Sequence, residues 1–476
     1  MTDVRIVEET WDGASATLLR ERMDAEIRPR YADLFAERSA PPVVVDPEDI
    51  VFTLVAYAAG DPAGTVSLKR TGGHSEIKRV FVDPAFRRIG LAARLLAAAE
   101  ERARALGVRD LVLQTGSRQP EAQALYEREG WAPIPPFGPY AGDDEVSRCY
   151  AKPIVPLTLG VELAVRGDGA GLVADVVAQI AAWEAAGADF AVVPDRYLEA
   201  AGEVAVDAPT LATFAAAQTS RIALVPEIAT THTEPFHVAK VVQTLDFVSR
   251  GRAGWQVAVT RGAQEAALFG RKAPASDDAL WAEAEEALEV AARLWDSWED
   301  DAEIRDVETG RFIDRDRVHH IDFEGRFFSV KGPSIVPRSP QGQSPVVIRV
   351  SGDGPELAVA ARRADVIRVA ADRVPAARAA LAEAGREAVV VVDVPASAGA
   401  RDVLSQVAAV RIESGADGAV VVFAEAPSDA EGFASAFAST FASVFASAGA
   451  AASTSFRGRL GLDRPASRYA RQESNV

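Results

Sequence analysis

The chain has 476 residues, too many for one ordinary domain, and 48% of them are hydrophobic, which suffices for two cores. A formal net charge of −18 argues against nucleic acid and anionic membrane, both of which need a basic surface to displace counterions, and leaves small molecules as the expected partners. The single cysteine, Cys149, excludes an intrachain disulfide and a thiolate metal cluster, and the five histidines show no metal-ligand spacing, so no metal site is expected.

Met1-Thr-Asp-Val-Arg opens a strand-like pattern without a basic-then-apolar leader, which predicts a cytoplasmic protein. Ser75-Glu-Ile-Lys-Arg-Val-Phe-Val predicts a strand. Glu76 within it is a candidate general base, able to take a proton from an incoming ammonium directly or through a water; a solvated strand carboxylate is the alternative. The strand leads into Val80-Phe-Val-Asp-Pro-Ala-Phe-Arg-Arg-Ile-Gly-Leu-Ala-Ala-Arg-Leu-Leu, which reads as strand, tight turn and amphipathic helix. That order builds an anion cradle: Gly90 and Ala92 leave no bulk, Arg87 and Arg88 add charge, and the helix start offers free amides. An apolar strand, Leu111-Val-Leu-Gln-Thr, is followed by a helix, Gln119-Pro-Glu-Ala-Gln-Ala-Leu-Tyr126, in which Tyr126 either serves chemistry or packs.

Together these segments, over roughly residues 1–152, resemble the GNAT N-acetyltransferases. The resemblance implies that Val82, Arg87, Arg88, Gly90 and Ala92 hold the pyrophosphate of acetyl-CoA and that Tyr126 protonates the departing thiolate, with Glu76 as base. The family often has an Asn where this chain has Gln119.

Pro153-Ile-Val-Pro156 marks a linker, since two prolines in four residues resist helix and central strand. Beyond it come short apolar strands separated by helix-length segments: Leu157–Val165, Asp189–Pro194, Ile222–Ala229, Trp255–Thr260, Pro345–Val350, Asp365–Val369, Ala388–Val394 and Gly418–Phe423. Eight of them indicate parallel pairing and a closed (β/α)8 barrel, with chemistry at the strand C-terminal ends. The expected organisation is therefore α/β: an N-terminal GNAT α+β domain over 1–152, a linker over 153–156, and a TIM barrel over 157–476.

Within the barrel, Glu234-Pro-Phe-His through Trp255, Val318-His-His-Ile-Asp-Phe-Glu-Gly, Val336-Pro-Arg-Ser-Pro-Gln-Gly and Arg459-Leu-Gly-Leu-Asp-Arg-Pro-Ala-Ser-Arg-Tyr resemble the bacterial luciferase-like, flavin-dependent monooxygenases, the nitrilotriacetate branch above all. The resemblance implies FMNH2 supplied by a separate flavin reductase, and insertion of one oxygen atom into a small organic substrate. Asp195, Thr230, His232 and Thr260 would face the flavin ring, while Ser351, Gly352 and Gly354 would form its phosphate loop. Three departures stand out. The loop after the first strand reads Arg166-Gly-Asp-Gly-Ala-Gly, Gln256 replaces an Asn, and Asp353 would repel a phosphate.

The neighbouring residues His319 and His320 are expected on opposite faces of a strand. Phe433, Phe437, Phe441 and Phe445 recur every four residues, which predicts an Ala-rich helix docking a Phe stripe on a core, with Ser428-Asp-Ala-Glu431 as its capping box. Its frequent Ser and Thr argue against a membrane span.

The functional expectation is a bifunctional enzyme that N-acetylates a small amine or amino-acid-like substrate and monooxygenates a small organic molecule, within S-alkylcysteine salvage as the specific idea. A homo-oligomer is compatible with the sequence. The alternative is an active acetyltransferase whose degenerate barrel serves as a scaffold or ligand-binding module.

Overall fold

The computed structural model of the protein describes residues 4–33 and 45–424, apart from 72, 144, 156, 167–168, 170, 199–203 and 397–398, and then 432–437 and 453–470. One compact unit is built on Met1–Leu157 and includes Leu404–Glu413, the other on Thr158–Val403 with later segments.

In the first unit, chain order gives β1 (Val4–Glu9), α1 (Ala14–Ile27), β2 (Ile50–Ala58), β3 (Asp61–Thr71), β4 (His74–Val82), α2 (Leu91–Ala105), β5 (Asp110–Gly116), α3 (Pro120–Arg128), β6 (Ala132–Ile134) and β7 (Ser147–Pro153). The sheet runs β1-β2-β3-β4-β5-β7-β6, and the one parallel pair is β4 with β5. Helix α2 buries Leu91, Leu95, Leu96, Ala99 and Ala103, positions spaced to form one stripe, against the sheet residues Leu68 and Ile77. Pro153 ends β7 as a paired residue rather than standing outside the sheet. Its missing N–H costs nothing, because β6 pairs with β7 only at Cys149–Ala151 and leaves Pro153 one neighbour.

The second unit follows with β8 (Thr158–Glu162), α4 (Leu172–Ala185), β9 (Phe190–Val193), α5 (Ala208–Ala216), β10 (Ala223–Ala229), α6 (Pro235–Ser249), β11 (Trp255–Ala258), α7 (Ala263–Phe269) and α8 (Asp277–Asp296). Two hairpins, β12 (Glu303–Asp306) with β13 (Arg311–Ile313) and β14 (Phe323–Glu324) with β15 (Ser329–Val330), interrupt the alternation. It resumes with β16 (Val346–Arg349), α9 (Pro355–Arg363), β17 (Val366–Val369), α10 (Val374–Glu383), β18 (Val389–Pro395), α11 (Ala400–Ser414) and β19 (Gly418–Val422). The eight strands β8–β11 and β16–β19 close into a parallel barrel, as expected, when β19 pairs with β8.

Period-two alternation sorts the barrel interior into two chemically different layers. The lower layer is apolar: Phe190, Val192, Ala223, Val225, Val347, Val366, Val391 and Val420 form one buried cluster with Phe456 and Leu460 from the C-terminal segment. Gly160 is required there, because a Cβ on it would lie 2.4 Å from the Phe190 ring. The upper layer is ionic. Arg368, fully buried, reaches Glu162 at 2.6 Å, Asp393 at 2.9 Å and the Gln256 carbonyl at 2.5 Å. Gln256 in turn donates to Glu227 at 2.7 Å, and Arg349 binds the other Asp393 oxygen at 2.7 Å.

Several expectations fall outside the barrel strands. His319 and His320 lie in irregular chain, not a strand. They still diverge, because His319 pairs with Glu299 and stacks on Tyr469 while His320 bonds the Gly332 carbonyl. Residues 432–437 are helical, and Phe433 and Phe437 pack on Trp183, as the stripe predicts. Phe441, Phe445 and the expected capping box lie outside the described residues. No described helix is long and apolar enough to cross a membrane, and no metal-ligand cluster occurs among the described residues.

Removing Arg368 should expose the cost of the ionic layer. Arg368→Met leaves the partly buried Glu162 and Asp393 with only the more exposed Arg349 as a shared cation, so the barrel should lose about 3 kcal/mol in chemical denaturation. A loss below about 1 kcal/mol would show that the layer is not held by this guanidinium.

Candidate functional site

Strands β4 and β5 are hydrogen-bonded at Glu76↔Val112 and Ile77↔Leu113 only, then separate. A bulge at Arg79, which adopts φ 55°, shifts the β3–β4 register and turns the end of β4 away. The resulting wedge opens toward Val82 and the turn that follows. There Arg88 (φ 66°) and Gly90 (φ 77°) both take left-handed backbone, and a Cβ on Gly90 would meet no atom within 4 Å. No described residue accepts from the backbone amides of Arg88 through Ala93. Unclaimed donors at the N-terminus of a four-turn helix are what an anion needs. Arg87 stands beside them, tied to the Val82 carbonyl at 2.9 Å and to Glu26 at 2.6 Å, while Arg88 and Gly90 are exposed and Ala92 lies in the first turn of α2. The residues expected to hold a pyrophosphate are therefore together, and they fit one.

Tyr126 projects from α3 into the core, edge-on to Trp131 at 6.1 Å and tilted against Tyr150 at 5.8 Å. Burial pushes its pKa well above the ordinary phenol value, so it keeps its proton at neutral pH. No described residue hydrogen-bonds its hydroxyl.

Glu76 is not solvated: it is 0% exposed. Its carboxylate lies 2.8 Å from Lys78 Nζ and accepts from the Thr71 hydroxyl at 2.8 Å. Lys78 also bonds the Tyr140 hydroxyl, and burial pulls the Lys78 pKa down. A strand reading could not anticipate this, because Tyr140 comes from a turn distant in sequence.

At the barrel mouth a cavity of about 350 Å³ lies over the C-terminal ends of β9, β10 and β11. Asp195, Tyr197, Glu227, Ala229, Thr260 and Arg261 are among its lining residues. Burial, opposed by a bond from the Arg196 amide and reinforced by Asp207, pushes the Asp195 pKa up to about 6. Glu227 is raised as well, again chiefly by burial. Thr230 and His232 sit beside the cavity: Thr230 is buried with its amide on the Ala258 carbonyl, and His232 stacks on Phe269 at 4.3 Å. Burial, with Lys272 nearby, lowers the His232 pKa and keeps the imidazole neutral. The Thr260 amide is fixed by the Thr231 hydroxyl at 2.9 Å. In size and mixed lining the cavity fits a planar ring system.

The expected phosphate loop is arranged differently. Glu356, on α9, places Oε1 2.7 Å from the Ser351 amide, 3.1 Å from its hydroxyl and 2.7 Å from the Gly352 amide. Gly354 serves as the N-cap of α9. Asp353, the anticipated source of repulsion, is exposed and paired with Arg373. The opposing charge therefore comes from Glu356, and Ser351 and Gly352 do not fit a phosphate while that carboxylate occupies their donors.

Glu227, Arg368, Glu356, Lys78 and Tyr140 escaped the reading of the sequence. The available signal was a charged residue at an inward position of an otherwise apolar strand, as in Val366-Ile-Arg-Val. Nothing local singled out Glu356.

Residues 159–453 match the luciferase-like monooxygenase family and residues 8–131 match the acetyltransferase (GNAT) family. The chain is 42% identical over 170 residues to N-acetyl-S-(2-succino)cysteine monooxygenase of Bacillus subtilis, a match spanning 36% of this chain and 38% of that relative. It is 42% identical over 108 residues to IAA acetyltransferase of Azospirillum brasilense, covering 22% of this chain and 69% of that one. Among solved structures, EDTA monooxygenase from Chelativorans sp. BNC1 shares the barrel fold, with TM-score 0.58 at 20% identity over 65% of this chain and 98% of its own. The chain belongs to the luciferase-like monooxygenase family and carries, ahead of that barrel, a domain of the GNAT acetyltransferase family.

Proposed function

We propose that the protein is a bifunctional enzyme: residues 1–152 N-acetylate a small amine or amino-acid-like substrate with acetyl-CoA, and residues 157–476, joined through 153–156, oxygenate a small organic molecule with reduced flavin and O2. The observation that carries the first activity is the run of unclaimed amides from Arg88 to Ala93 at the mouth of the β4–β5 wedge. In the transfer, the amine nitrogen attacks the thioester carbonyl, a C–N bond forms and the C–S bond breaks. Tyr126, which burial keeps protonated, gives its proton to the departing thiolate. The proton lost by the amine reaches Glu76 through Lys78 or Tyr140, since the carboxylate itself is shielded from the solvent.

For the second activity, reduced flavin from a separate reductase supplies the electrons that activate oxygen. Asp195, Thr260 and Tyr197 line the cavity and would border the ring, His232 beside the cavity is held neutral, and Glu227 with Gln256 joins the cavity floor to the ionic layer. The relative's name carries an N-acetylated, S-substituted cysteine. An acetyltransferase acting on an S-substituted cysteine would deliver such a compound, and acetylation removes the ammonium charge before the molecule enters a partly apolar cavity. We therefore place acetylation before oxygenation in S-alkylcysteine salvage, in the cytoplasm. Incubating S-substituted cysteines with the protein, acetyl-CoA, a flavin reductase and O2 should yield the N-acetyl compound first and release the thiol afterwards. Oxygenation of the free cysteine as fast as of its acetylated form would overturn this order.

Gly90→Val puts a β-branched side chain on left-handed backbone inside the cradle, so calorimetry on the full chain should detect no acetyl-CoA binding while barrel stability is kept. Unchanged affinity would sink the cradle assignment. Tyr126→Phe removes one hydroxyl at nearly constant volume and should slow transfer by about 10²-fold with acetyl-CoA affinity retained. Full turnover would return Tyr126 to packing.

The raised Asp195 pKa has a definite sign in stability. Since the folded value of about 6 exceeds the unfolded one, ionisation is penalised in the fold: stability is lower above pH 6 and recovers as pH falls through it. Asp195→Asn should therefore stabilise the barrel at about pH 7.5, by a margin that shrinks toward about pH 5. A margin constant across that range would show that Asp195 does not titrate there.

A further inference from the structure

We propose that Glu356 is a resident carboxylate standing where a flavin phosphate would bind, and that the barrel therefore takes phosphate-free flavin, riboflavin, at least as tightly as FMN. The proposal rests on the flavin reading above and concerns which flavin that site accepts.

Three donors of the loop after β16, the Ser351 amide, the Ser351 hydroxyl and the Gly352 amide, converge on the single oxygen Oε1 of Glu356. Successive amides turned to one point form an anion-binding concavity, and here the anion is supplied by the chain itself. Glu356 is buried, 5% exposed, and its other oxygen lies 3.3 Å from Arg261 Nη2. Arg261, which lines the flavin cavity along with Arg196 and is the one of the two that reaches this loop's carboxylate, is thus already shared between Glu356 and Asp277, the latter at 2.8 Å. Arg373, near the same loop, is held by Asp353.

A phosphate entering this loop would have to expel a carboxylate from its three donors. It would then sit close to the displaced charge with no uncommitted cation among the loop's described partners, so like-charge repulsion adds to the lost hydrogen bonds. A ribityl chain ending in a hydroxyl meets neither cost. A Cβ on Gly354 would meet no atom within 4 Å, so the neighbouring backbone is open to an uncharged chain. Glu356 therefore sets cofactor specificity: it satisfies the loop while selecting against the charged end of FMN.

Fluorescence titration of the full-length protein with riboflavin and with FMN tests this directly. The wild type should bind riboflavin as tightly as FMN or more tightly. Glu356→Ala, which frees the donors, should tighten FMN on the order of tenfold, leave riboflavin within about twofold, and make FMN binding competitive with inorganic phosphate. Glu356→Gln keeps the shape without the charge and should give an intermediate FMN affinity, which guards against a folding artefact in the alanine variant. A wild type that prefers FMN by about tenfold, or a riboflavin-to-FMN ratio unmoved by both variants, would overturn the proposal while leaving the flavin reading intact. Failure of all three proteins to bind either flavin at millimolar concentration would overturn the flavin reading and this proposal with it.

Discussion

A guanidinium with no access to water has to be answered inside the fold, and in the barrel that requirement is met at Arg368. Its partners Glu162, Asp393 and Gln256 come from β8, β18 and β11, so one side chain on β17 ties together strands from around the barrel. Breaking any arm leaves a buried charge with part of its compensation gone. The layer also determines what lies above it, because Gln256 is shared with Glu227 and Glu227 lines the cavity. An apolar plug built on Phe190 and Phe456 fills the lower interior, which confines polar chemistry to the strand C-terminal ends.

Both units present backbone amides at a loop preceding a helix, and they use them in opposite ways. At Gly90 the amides are unclaimed and the local backbone is left-handed and open. At Ser351 and Gly352 the equivalent donors are consumed by Glu356. The two loops look alike as strings of small residues between strand and helix. The difference is made by one carboxylate placed one position inside the helix, where the donors can reach it.

The motifs that carried the family resemblance in the barrel mostly build structure rather than chemistry. Arg338 is buried against Asp296 and Asp300; Arg464 joins Asp300 and Arg468 joins Asp296 from the closing C-terminal motif. Ser467 bonds the Asp296 carbonyl and Gln341 bonds Asp246. These contacts fasten the C-terminal segment beside α6 and α8, and the same segment delivers Phe456 to the base of the barrel. Strings of this kind reveal which fold a chain adopts, and the residues that distinguish its chemistry lie elsewhere.

Periodicity and turn chemistry by themselves determined the two-part organisation, the eight parallel strands and the cradle around Gly90, because each depends on neighbours a few residues apart. Asp195 and Thr260 were named by the family resemblance, and both fall at predicted strand ends and line the cavity. Whether a carboxylate at such a place is free, paired or spent depends on groups far away in sequence. Glu76 is paired with Lys78 beside a tyrosine from another loop, Arg368 is neutralised by strands on either side of the barrel, and the Ser351 donors are filled by a helix that packs back on them. Only the tertiary structure decides these, because charge compensation in a low-dielectric interior is set by which groups share a few ångströms of space and not by their order in the chain.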